Sequence, residues 1–142
     1  MKHPLHPLIV HFPIACWSLS TFGDLAGLFF TTSLTQSIGI LMFIGCVSAV
    51  CAMAAGLYDA VKLNPIEQLS YAIDHHMYAA ITAWGLYLIS LGLRWNDGLS
   101  FPPSIWAVAT SIAGSICLFI AGWYGANLVY EHGAGTKNNW VK

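Results

Sequence analysis

The chain has 142 residues, 57% of them hydrophobic and 8% charged, with a formal net charge of -1. At a mean hydropathy of +0.66 there is too little polar surface to cover a water-soluble globule of this size, so composition places the chain in a membrane. Five Lys plus Arg against six Asp plus Glu provide no basic face and exclude nucleic acid as a partner.

Four apolar runs have the roughly 20-residue length that spans about 30 Å of hydrocarbon. The first, 8–30, begins near Met1 and outruns a signal-peptide core with no A-x-A-like cleavage site behind it, so a retained helix is expected. The second covers 38–61, the third 77–95 and the fourth 105–130. Between them lie TSLTQS, the more polar KLNPIEQLSYAIDH, and NDGLSFPPS, whose polar, Pro and Gly residues suit interfacial turns. Small residues recur at helical spacing: Ser20, Gly23 and Gly27 on the first run, Gly45, Ala49, Ala52 and Gly56 on the second, Ala121 and Gly125 on the fourth. Such stripes let membrane helices approach closely. No linker, repeat or low-complexity tract divides the chain. The expectation is an all-α membrane protein, one domain over 1–142 folded as a four-transmembrane-helix bundle with both termini on the same side.

Connectivity then fixes the place of the histidines. His3, His6 and His11 stand at the start of the first run, His75 and His76 at the start of the third, and His132 just past the fourth, so all six share one membrane face. The other face carries Arg94 and Asp97, with Asp24 two-thirds along the first run. Histidine is at home at an interface, which suffices for His3 and His6 taken singly. His11 lies a turn deeper, after Pro7 at the helix start and beside Pro13, whose ring removes the bond to the Ile9 carbonyl. A polar ring at that depth needs a partner within the bundle. His76 is followed at helical spacing by Ala80, Ala83 and Tyr87, a face that is mostly small beyond the imidazole.

Neutral imidazole is the commonest metal ligand and a usual axial ligand of haem iron. Two histidines on different helices therefore point to a bis-histidine haem b, with His11 and His76 as the expected pair and His132 as a third candidate. No CxxCH is present, which excludes the usual covalent haem attachment. The competing reading uses His11, His76 and His132, or the His75-His76 pair, with Asp59, Asp74 or Glu131 as oxygen ligands to zinc or copper. His3 and His6, interleaved with Pro4 and Pro7, are expected to form a rigid lid over the site. Asp59, Tyr130 and Glu131 are expected beside it, Asp59 by accepting an imidazole N–H.

The opening HPLHPLIVHFPIA, the GDLAGL of the first run, the AAGLYD closing the second, the HM of His76-Met77 and the terminal GANLVYEHGAG resemble the bacterial membrane family known as domain of unknown function 2231. The likeness extends over nearly the whole chain. It implies a four-helix protein of the bacterial inner membrane, and redox surroundings, since some members are joined to c-type cytochrome modules or encoded beside them. It places the family's motif histidines at His3, His6, His11, His76 and His132, with His75 outside the motif. Many members carry an Asn shortly after the helix-three His, where this chain has Ala79 and Ala80.

Asp24 is the most expensive residue in the spans unless paired, and Arg94 is its expected partner, as an ion pair or as part of a proton relay. Cys16, Cys46, Cys51 and Cys117 have no CxxC spacing and are expected to be small buried apolar residues. The tryptophans and tyrosines suit an aromatic belt and bundle packing. Lys2, Lys62, Lys137 and Lys142 on the histidine face, against Arg94 on the other, put the histidines in the cytoplasm by the positive-inside rule. The cytochrome modules of relatives argue for the opposite side. Expected partners are the bilayer and a c-type cytochrome or quinol, with homo-oligomers also compatible. No hydrolytic triad or paired carboxylates in one span are present, so any activity is expected to be that of a haem-dependent electron-transfer component, or none for a metal-binding or assembly subunit.

Overall fold

The computed structural model describes residues 5–29, 35–61, 67–96 and 103–134, and all regular structure in them is helical. The elements are α1 His6–Ile9, α2 His11–Phe29, α3 Thr35–Ala60, α4 Glu67–Asn96 and α5 Ile105–Tyr130. α1 and α2 form one span, His6–Phe29, interrupted at Val10 where Pro13 can return no N–H to the Ile9 carbonyl. The other three spans are Gln36–Ala60, Leu69–Trp95 and Ile105–Tyr130. An even number of spans brings both ends of the described chain to one side of the bundle.

α4 starts ten residues before the apolar run that suggested it, so His75 and His76 lie more than two turns inside the helix and not at its start. The early segment is polar enough to lower the hydropathy. Leu69 and Ala72 nevertheless bury themselves at the helical spacing that leads to His76, and this packed face keeps the segment helical. α5 begins at Ser104, whose hydroxyl accepts the Ala107 N–H, and ends with Gly133 at a φ of 65°. There the Ala134 N–H reaches the Leu128 carbonyl at 2.8 Å, a folding back over the last turn that a left-handed glycine permits.

The outside of the bundle is apolar, with Leu8, Phe29, Phe119 and Tyr130 among its most exposed side chains, while much of what is buried is small or polar: Ser20, Thr21, Asp24, Ser90, Arg94 and Ser111. That inversion suits lipid as the outer solvent. α2 packs along α3 and α4 along α5, and the two hairpins meet more sparingly.

The hairpins repeat one another. His6 and His76, Trp17 and Tyr87, Ser20 and Ser90, and Asp24 and Arg94 are each separated by 70 positions. His6 Nδ1 bonds the Ala52 carbonyl and His76 Nδ1 the Ala121 carbonyl, each at 2.8 Å. A Cβ on Gly45 would strike the Trp17 ring, and one on Gly114 the Tyr87 ring. Ser20 Oγ donates to the Ile38 carbonyl and Ser90 Oγ to the Ala107 carbonyl. Equivalent residues also meet each other across the middle, His6 with His76, Trp17 with Tyr87 and Asp24 with Arg94. Contacts between equivalents are the mark of a two-fold axis. Because α2 and α4 run the same way, the axis lies along the bundle, as in parallel membrane repeats. The sequence had suggested no repeat, because the matched positions share register and contact more often than residue identity.

Candidate functional site

His6 is carried to the interior by the first turn of the chain. Its backbone N–H donates to Asp59 Oδ2 at 3.0 Å, so a carboxylate on α3 serves as the missing cap of α1, whose N-cap Leu5 offers no side-chain acceptor. That contact also supports the positive end of the helix. The imidazole then lies against Gly56, where a Cβ would come within 2.9 Å of Nδ1. Only glycine leaves room for the ring at that depth. His76 rests on α5 in the same manner, with Gly125 beneath its ring.

The two rings meet edge to face, their centroids 5.7 Å apart and their planes at 87°. A carbonyl can only accept, so the Nδ1 atom of each ring carries the proton it donates to Ala52 or Ala121. In the neutral imidazole the Nε2 of each ring is then a bare lone pair. Fixing the tautomer through an outer hydrogen bond is how proteins prepare histidines as ligands. Deeper along the axis Pro13, Ala83 and Tyr87 are fully buried, and Trp17 stacks on Tyr87 with centroids 4.7 Å apart.

The remaining expected site residues are placed differently. His11, expected to pair with His76, is exposed on α2, and His6, expected in the lid, takes the inward position. About 100° of rotation per residue puts the two on different sides of the span, so only one can face the bundle. His75 packs on Tyr71 at 3.9 Å and Tyr124 at 5.2 Å and bonds the Tyr71 carbonyl within its own helix. His132 is half-buried in the turn that ends α5, and Tyr130 and Glu131 there are exposed. Asp59 Oδ2 accepts the backbone N–H of His6. His3 and the four lysines used to judge orientation, with Asp97, lie outside the described residues. Among the described residues no three His, Cys, Asp or Glu gather closely enough to hold a metal ion.

The opposite end of the axis holds the ion pair of Asp24 and Arg94, both fully buried. Ser111 Oγ donates to the same carboxylate oxygen at 2.9 Å. A turn deeper, the hydroxyls of Thr21, Tyr87 and Ser115 close a triangle of hydrogen bonds between 2.8 and 3.1 Å. An apolar cavity of about 190 Å³ near that end is lined by Gly39, Ile40, Phe43, Leu91 and Trp95. Of the four cysteines, all free, Cys16 and Cys46 are buried, while Cys51 faces outward and Cys117 is half-buried.

Fold and site together define a multi-pass membrane protein with a two-histidine centre between its halves. Over residues 2–138 the chain matches the family described as a predicted membrane protein, domain of unknown function 2231, and it belongs to that family. No curated protein and no solved structure matches it. The opening motif, AAGLYD, the helix-four His and GANL converge on one place: His6 touches Ala52, Gly56 and Asp59, while His76 touches Ala121 and Gly125.

Proposed function

We propose that the protein is a small cytochrome-like electron-transfer component of the bacterial inner membrane, in which Nε2 of His6 and Nε2 of His76 are the axial ligands of one haem b. The observation that carries this reading is a pair of imidazoles, each fixed by its Nδ1–H in the ligating tautomer, with no third protein ligand among the described residues. Zinc sites draw three or four ligands from protein, whereas haem brings four nitrogens of its own and needs two more.

When bound, the cofactor supplies one-electron chemistry. The chain supplies the rest. The Ala52 and Ala121 carbonyls, by accepting the Nδ1 protons, make both imidazoles stronger donors. The position at one end of the bundle suits exchange with a quinol or a c-type cytochrome at that membrane face.

The test is the absorption spectrum of the detergent-purified protein expressed with ample haem, air-oxidised and then reduced with dithionite. A Soret band that sharpens on reduction is expected, with split visible bands that are lost in His6→Ala and His76→Ala and kept in His11→Ala. Retention in His6→Ala with loss in His11→Ala would overturn the assignment of ligands. A colourless protein carrying stoichiometric zinc or copper by elemental analysis would replace haem with a bare ion at the same pair.

A further inference from the structure

The pseudo-two-fold axis brings like residues together at two levels and opposite charges together at a third. At the outer end His6 meets His76, and in the middle Trp17 stacks on Tyr87, pairs that a symmetric arrangement of two copies of either hairpin would reproduce almost unchanged. At the inner end the equivalent positions are Asp24 and Arg94, opposite in charge and fully buried. Two first hairpins placed about this axis would set Asp24 against Asp24, and two second hairpins would set Arg94 against Arg94. The first must neutralise at least one carboxyl by protonation, the second buries two guanidinium charges without a counter-ion, and both forfeit the ion pair.

We propose that the chain is two mutually recognising modules, and that the Asp24 and Arg94 level is the contact that makes the first hairpin accept the second and reject a copy of itself. The carboxylate module spans residues 5–61 and the guanidinium module 67–134. Polar groups at single buried positions set partner choice in this way in other helical assemblies. The contacts around the pair are shared: Ser111 of the second hairpin donates to Asp24, and Thr21 of the first bonds Tyr87 and Ser115 of the second. Both ends of both hairpins lie on the histidine face, so the order in which the modules are joined is immaterial to the direction of any helix.

Two experiments on the whole chain test this. The first reverses the charges: Asp24→Arg and Arg94→Asp singly and together, with Asp24→Lys/Arg94→Glu as a second reversed pair of different size. Each single variant is expected to lose folded yield and about 5–10 °C of melting temperature in detergent, and at least one reversed pair to regain most of it. Singles that melt like the parent, or two reversed pairs no better than the singles, would overturn the role of this level. The second joins the hairpins in the opposite order, 67–134 before 5–61, through a flexible connector on the histidine face. Cooperative melting close to that of the parent is expected, with sensitivity to the same charge variants. A permuted chain that inserts without cooperative melting would overturn the modular reading.

Discussion

At the scale of single residues, the choice between His6 and His11 turns on helical phase. Asp24 must face the bundle because nothing in lipid can satisfy it, and His6 lies five full turns before it, on the same side, whereas His11 falls more than 100° away. Arg94 marks His76 by the same separation. The inward charge was legible in the sequence, and counting back from it selects the inward imidazole. Pro7 and Pro13, on either side of His11, instead suggested depth without direction. The glycines beneath the rings give the check. Gly56→Ala would bring a methyl to 2.9 Å from His6 Nδ1, and the ring must turn away from the Ala52 carbonyl. The expected outcome is a lost or shifted axial-ligand spectrum with a melting change of less than about 2 kcal/mol equivalent. Gly85→Ala, with nothing within 4 Å of the new carbon, is expected to change neither property.

At the scale of elements, hydropathy located the four spans and misplaced one boundary. The segment before Met77 contains Glu67, Gln68, Ser70 and Asp74, which lowers its average below a membrane threshold. A helix is held by one packed stripe, however, and Leu69, Ala72 and His76 supply it. The small-residue stripes were legible, but not their occupants. Gly45 admits the edge of Trp17, with a Cβ placed only 2.7 Å from its ring, and Trp17 is held from its other side by Tyr87. Neither ring can yield without breaking the stack. Gly45→Ala is therefore expected to cost about 1–3 kcal/mol, measured by thermal or denaturant unfolding in detergent, and so to exceed Gly56→Ala, where the displaced group is a ring at the end of the bundle.

At the scale of the whole molecule, the two seams between the hairpins differ in chemistry although the backbone relates them. On the α2 and α5 side Asp24 and Thr21 meet Ser111 and Ser115. The equivalents of those serines on α3 are Met42 and Cys46, which belong to the apolar cluster with Trp17 and Tyr87. One seam is thus joined by side-chain hydroxyls and a carboxylate, the other by packing and one hydrogen bond from Trp84 Nε1–H to the Cys46 carbonyl at 3.1 Å, and the Tyr87 hydroxyl reaches only the first. Its triangle with Thr21 and Ser115 has a property that a simple pair lacks: removing Tyr87 Oη leaves Ser115 Oγ donating to Thr21 Oγ1 at 3.1 Å. Tyr87→Phe alone should cost about 1 kcal/mol or less, near the average for hydrogen bonds inside membrane proteins. Thr21→Val removes a hydroxyl bonded to both partners and separates the helices that the triangle joins, so it should cost more. In the double variant the second loss finds nothing left to break, and the combined cost should fall short of the sum by about 0.5 kcal/mol or more. Strict additivity in that cycle would mean that the hydroxyls act independently, leaving the hydrogen bond from Ser111 to Asp24 to couple α2 to α5.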